Sequence, residues 1–175
     1  MSDLQGNLNK IKSNESFLER IKRYIPGYDG YVNRDNSREL DTILRNQLAL
    51  LLEQNKGKIK NTVSNLSKAG KLFETGDIDK IGKKNESAIA KLRSASRGYS
   101  GAFDIVKIKE EKLNMLYEFD STLLQQVETI GTAFTEMETA SASNTDVKDC
   151  IAKVSTGLDS LIAKFDEREN LLRAM

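Results

Sequence analysis

An all-α fold, an elongated bundle of about four long helices preceded by a short one, is what this sequence predicts. Three observations carry it. Apolar residues recur at helical spacing along the chain, and no segment holds the alternation of a strand. A single proline stands in 175 residues, far too few for a turn-dense β-sandwich. In the last third the spacing tightens to a heptad. One segment carries Leu113, Leu116, Asp120, Leu123, Val127, Ile130, Phe134 and Met137; the next carries Val147, Ile151, Val154, Leu158, Leu161, Phe165, Arg168 and Leu172. With the turn SASNTD between them, the pair reads as an antiparallel coiled-coil hairpin over 102–140 and 145–173.

The remaining elements follow from the amino terminus. Asn14 caps a short amphipathic helix over 14–25, stopped by Pro26 and Gly27. Phe17, Leu18, Ile21, Tyr24 and Ile25 form its apolar face, with Arg20, Lys22 and Arg23 on the other. The turn-rich PGYDGY leads into a long helix over 33–73 with an apolar stripe through Leu40, Leu44, Leu48, Leu51, Ile59, Val63, Leu66 and Phe73. Asn55 and Gly57 interrupt it, and because a glycine inside a helix costs about 1 kcal/mol, a break is expected at 55–57. The stretch ETGDID reads as a stop and restart, with Asp77 the N-cap of a weaker helix over 77–98. Thr145 or Asn144 is expected to cap the last helix, with Asp146 and Asp149 on its first turn. No internal repeat stands out, so the chain reads as one helical domain, 1–175.

Composition fits that shape and removes several chemistries. Hydrophobic residues make up 38% and charged residues 30%, against roughly 45–50% and 25% in an average domain, as expected where each helix keeps a wide wet face. Histidine is absent, which removes Ser-His and Cys-His nucleophile pairs and every His-containing zinc site. The single Cys150 forms no internal disulfide and reads as a small packed residue in a cytoplasmic protein. There is no apolar run of membrane-spanning length, and MSDLQGNLNKIK lacks the apolar core of a signal peptide.

Charge is segregated. Residues 1–55 carry 8 basic and 8 acidic side chains, 56–98 carry 11 and 4, and 99–175 carry 8 and 14. A basic middle and an acidic end attract each other, within one bundle or between copies.

Ile25, Pro26, Gly27 and Tyr28, followed by Arg38, Asp41, Leu44 and Arg45, form a recognisable pattern. It resembles an uncharacterised prokaryotic all-helical family with an Ile-Pro-Gly-Tyr turn and then an Arg-rich helix. The resemblance covers about a quarter of the chain and implies no chemistry, only a loose association with membrane-stress or membrane-scaffold genes.

Asp120 interrupts the apolar seam, and a buried unpaired charge costs several kcal/mol, so it must find a partner or stay wet. Arg34, Arg38, Asp41 and Arg45 line one stripe beside Leu40 and Leu44. One of those arginines is expected to pair with Asp120 or Glu118, with Tyr28, Tyr31 or Tyr117 supplying a hydroxyl. Such a set either fixes helix register or forms a charged pocket for an anionic ligand or partner. The short helix offers a second surface: Phe17, Leu18 and Ile21, with Arg20, Lys22 and Arg23, would either contact a membrane or pack on the bundle. The lysines of 56–98 could meet nucleic acid, but no recognised module accompanies them. Carboxylate pairs such as Glu118/Asp120 or Glu74-x-x-Asp77 leave a metal-dependent hydrolase as the remaining enzyme route. The expectation is a non-catalytic helical scaffold or adaptor, without cofactor or metal. It would bind a protein partner or its own copy, in the cytoplasm or peripherally at the inner face of the membrane.

Overall fold

The computed structural model describes Glu19, residues 21–24, Pro26, and residues 34–94 and 110–174, with side chains from Glu39 and from Asn114 onward in the two long stretches. The protein is all-α. The long helices among the described residues are α1 (Arg34–Glu53), α2 (Asn55–Lys68), α3 (Leu72–Ser94), α4 (Glu110–Ala142) and α5 (Lys148–Arg173).

α1 and α2 form nearly one rod. Gln54 between them keeps helical dihedrals, φ −58° and ψ −24°, and its N–H still reaches the Leu50 carbonyl at 3.3 Å. The interruption thus falls at Gln54, while Gly57 lies inside α2. The chain reverses further on, at 69–71. Lys71 N–H donates to the Leu66 carbonyl at 2.9 Å and Gly70 N–H to that of Ser67 at 3.2 Å, with Gly70 at φ +74°. This is the closing pattern in which a left-handed residue satisfies a helix's last carbonyls.

The reversal corrects the expected boundaries. No helix runs from 33 to 73, and ETGDID is not a break: α3 starts at Leu72 and passes through it. Asp77 lies inside α3, where it pairs with Lys80 at 2.9 Å. Phe73, expected to end the apolar stripe, is fully exposed at the start of α3. The apolar spacing continues past Gly70 in sequence, but the chain does not continue in that direction.

The turn between α4 and α5 repeats the same closure. Thr145 N–H donates to the Ala140 carbonyl at 2.9 Å and Asn144 N–H to that of Ser141 at 3.2 Å, with Asn144 left-handed at φ 57°. At the start of α5 the N-cap position is Val147, and Asp146 just before it accepts at Oδ1 from Lys148 N–H at 2.9 Å. Thr145 and Asn144, the expected caps, serve the end of α4 instead.

These turns give an up-down-up-down bundle. α3 runs antiparallel to the α1–α2 rod, since Arg45 meets Leu92 and Asn85 meets Leu52. α4 runs parallel to that rod, since Lys58 meets Gly131 and Asn65 meets Ser141. α5 packs against α3 and α4, leaving α3 and α4 on a diagonal. One core unites Leu44, Leu48, Leu66, Ile78, Ile89 and Leu123 with Phe134, Leu158 and Phe165, each worth about 1.5–3 kcal/mol when fully buried. At Gly157 an added Cβ would stand only 3.0 Å from Ile130 Cγ1, so the missing side chain lets α4 and α5 approach closely.

Residues 21–24 are helical and sit on this bundle. Ile21 is 0% exposed and belongs to the core, and the Tyr24 hydroxyl donates to Glu128 Oε1 at 2.9 Å. Ile21 is therefore not presented to a membrane, which corrects that expectation; its burial against the bundle is the stronger apolar contact. Lys22 and Arg23 are exposed, while Phe17, Leu18 and Arg20 lie outside the described residues.

An added Cβ at Gly70 would meet nothing within 4 Å, so Gly70→Ala pays only for the left-handed backbone. A loss of about 1–2 kcal/mol in urea unfolding is expected. An unchanged midpoint would mean that the turn takes another conformation.

Candidate functional site

The polar set around Asp120 is built from three helices. In α4, Asp120 occupies a seam position between Leu116 and Leu123; in α5, Arg168 occupies the matching position between Phe165 and Leu172. Arg168 Nε donates to Asp120 Oδ1 at 2.6 Å. Its Nη2 lies 2.7 Å from Asp41 Oδ1 of α1 as an ion pair. Arg45, one turn on in α1, donates from Nε to Asp41 Oδ2 at 2.8 Å. It also donates from Nη1 to the Leu92 carbonyl at 2.9 Å and from Nη2 to Thr42 Oγ1 at 3.2 Å. That carbonyl belongs to the last turn of α3, where a cation suits the negative end of the helix.

Of the arginines expected there, Arg45 pairs with Asp41 and not with Asp120. Asp120 is held by Arg168, a partner outside that stripe. This pairing was legible, because Asp120 and Arg168 stand equally far, 24 residues, from Asn144 at the turn. In an antiparallel hairpin, equal distance from the turn means facing positions. Of the other residues proposed for this set, Tyr117 is half-buried against the core. Tyr28, Tyr31 and the side chains of Arg34 and Arg38 lie outside the described residues.

Two carboxylates and two guanidiniums sum to zero formal charge, and each of the four residues is at most 1% exposed. This arrangement holds helices in register; it is not an open anion pocket. A second buried polar group lies at the α1–α2 junction. Asn55 is 1% exposed, and neither polar atom of its amide has a hydrogen-bond partner among the described residues.

The part of the basic middle segment that lies in α3 faces acids of its own chain. Lys84 Nζ pairs with Asp159 at 2.7 Å and Lys91 with Asp166. Arg93 holds both carboxylate oxygens of Glu53, at 2.8 and 3.0 Å. Among the described residues, no group of three or more His, Cys, Asp or Glu gathers into a metal site. Glu74 and Asp77 lie in the first turns of α3, and Cys150 is half-buried against the core. No described helix is long and apolar enough to cross a membrane.

Two surface features remain. At the α2–α3 turn, Phe73 is 101% and Leu72 63% exposed, forming a convex apolar tip. Lys71 Nζ donates to the Asn144 carbonyl at 3.2 Å, which ties this tip to the hairpin turn. Between α4 and α5 lies a solvent-open groove of about 760 Å³, lined by Thr129, Ile130, Ala133, Ala152, Thr156 and Gly157. Glu136 and Lys153 pair across its rim at 3.2 Å. That hydrogen bond, and then the charge of Glu136, raise the Lys153 ammonium above its ordinary pKa. Sequence reasoning missed both features. Gly70 was the signal for the tip; the groove depends on which hairpin faces α1–α3 leave uncovered, and no local pattern states that.

No protein-family model matches this sequence, and neither a curated protein nor a solved structure matches it.

Two outcomes test the buried polar groups by urea unfolding. Arg168→Leu leaves Asp120 and Asp41 with a buried partner removed and should cost about 3–5 kcal/mol. The double variant Asp120→Leu/Arg168→Leu keeps the neutral Asp41–Arg45 pair and should regain most of that loss; simple additivity of the two single changes would refute the coupling. Asn55→Leu removes an unsatisfied amide and should raise stability by about 1–2 kcal/mol; a loss would mean that the amide is satisfied by ordered water.

Proposed function

We propose that this chain is a non-catalytic helical scaffold that holds another protein through the Leu72–Phe73 tip. The observation that carries this reading is the complete exposure of Phe73 beside an exposed Leu72. An aromatic ring left in water forgoes about 1.5–3 kcal/mol that burial would return, and aromatic residues are the usual anchors of protein interfaces. The titratable groups buried deepest are neutralised in pairs that hold the bundle, which supports a framework role over a chemical one. A lipid surface is the weaker partner for the same tip, because two side chains on a convex turn lack the broad apolar face of an interfacial helix. The inward pairing of Lys84, Lys91 and Arg93 likewise weakens the case for nucleic acid.

The test is a photo-crosslinking amino acid in place of Phe73, with adducts collected from the native cell and identified by mass. Protein adducts at position 73, absent when the crosslinker replaces Lys60 on the exposed side of α2, are expected. Lipid adducts alone, or none, would overturn the reading.

A further inference from the structure

We propose that the protein held by the tip is a second copy of this chain, its α4–α5 groove receiving Leu72 and Phe73 of the next molecule. The inference rests on the protein-holding reading above and narrows it to one partner. Four observations support it.

The first is fit. A groove of about 760 Å³ accommodates a phenylalanine and a leucine side chain together with the start of the helix that bears them. Its floor is apolar, Ile130 and Ala133 from α4 and Ala152 from α5, and the close approach at Gly157 keeps the two helices tightly joined beneath it. The second is chemistry. Thr129, Thr132 and Thr156 line the groove, and the hydroxyls of Thr129 and Thr132 donate to the Gln125 and Glu128 carbonyls at 2.9 and 3.2 Å, so both keep a hydrogen bond when an apolar side chain covers them.

The third is charge. From Asn55 to Phe73 the chain carries five lysines and no acidic residue. From Glu110 to Arg173 it carries 13 acidic and 6 basic residues, a net of −7. A partner for the tip should be acidic overall, as the two helices that form the groove are, although the charged residues lining the groove itself are the paired Glu136 and Lys153.

The fourth is reach. The tip stands at the end of the bundle where both turns meet. The groove centres on Ile130 and Gly157, 14 and 13 residues from Asn144 along the hairpin, hence roughly 20 Å away at about 1.5 Å per residue. Leu72 and Phe73 sit on the rigid first turn of α3, so no molecule can fill its own groove. Each copy therefore offers one tip and one groove on different surfaces. That is a heterologous contact, and repeating it produces a ring if the rotation closes and a filament if it does not.

The experiment uses the full chain in sedimentation velocity and multi-angle light scattering over a wide concentration range. The mass should climb past that of a dimer. Phe73→Glu should weaken association at least about 30-fold, the effect of losing an interface anchor, with Leu72→Glu as a second variant of the tip. Thr156→Trp, from an exposed position, should block the groove to a similar extent. Both replaced residues are exposed, so the melting temperature should not move and loss of association will not reflect unfolding.

The decisive arm is mixing. Phe73→Glu retains its groove and Thr156→Trp retains its tip, so together they should form a one-to-one complex that grows no further. A wild-type chain that stays monomeric throughout, or variants that do not complement each other, would overturn the inference. If the purified chain is monomeric while position 73 crosslinks a different protein in cells, self-assembly is excluded and the scaffold reading survives. If no protein is crosslinked, both fall.

Discussion

Arg168 is the residue on which the arrangement of this bundle depends. Its guanidinium lies between Asp120 of α4 and Asp41 of α1, and Asp41 passes the contact to Arg45, which holds the end of α3 through the Leu92 carbonyl. One chain of charges thereby connects every side of the bundle. Its value is specificity more than stability, because removing four charges from water costs most of what their pairing returns. A slip of the hairpin by one heptad would face Asp120 with Leu161 and leave Arg168 without that carboxylate. The apolar seam alone tolerates such a slip; the buried charges do not.

This dependence explains which parts of the structure could be read from sequence. The heptads of α4 and α5 were legible because every seam residue repeats at one period and a short turn fixes the direction of return. The same arithmetic, reflected about Asn144, pairs Asp120 with Arg168, Ile130 with Leu158 and Phe134 with Val154. Asp41 and Arg45 were legible as members of one polar stripe, but periodicity says nothing about how far across a bundle an arginine must reach. The end of α2 was not legible from apolar spacing, since Val63, Leu66 and Phe73 keep helical intervals of three and seven across a turn. There the deciding residue is Gly70, whose left-handed backbone ends one helix and reverses the chain. An asparagine does the same at 144, which shows that the backbone geometry, more than residue identity, is the recurring device.

The segregated charge of the sequence has a structural use that composition alone leaves open. α3 lies beside α5 so that Lys84 and Lys91 face Asp159 and Asp166. Such pairs are half-exposed, and exposed ion pairs contribute at most about 1 kcal/mol each, so they do not hold the bundle together. Their effect is on arrangement: exchanging α3 with the α1–α2 rod would put α3 diagonal to α5, away from Asp159 and Asp166. Charge therefore chooses among packings that the apolar faces alone would accept with similar energy. α2 is the exception. It meets α4 through amide and carbonyl contacts, Asn61 with Glu138 and Lys58 with the Gly131 carbonyl, and keeps much of its positive field directed outward.

That outward field and the exposed ring of Phe73 occur at the same end of the rod, and the fold requires neither. The turn is made by Gly70 and by the carbonyls of Leu66 and Ser67. The core side of α3 begins at Ile78, which is fully buried. Positions 72 and 73 neither cap the helix nor touch the core, so polar residues would satisfy every local demand there, and more soluble ones at that. An apolar pair at a site where folding is indifferent is what the proposed contact with another molecule would account for. The groove differs in kind, because its floor follows from the close approach of α4 and α5 that Gly157 allows. Packing alone thus creates the receptor surface, and only the tip has to be specified separately. In the proposed assembly, two residues placed on a turn would be sufficient to convert a self-contained bundle into a subunit.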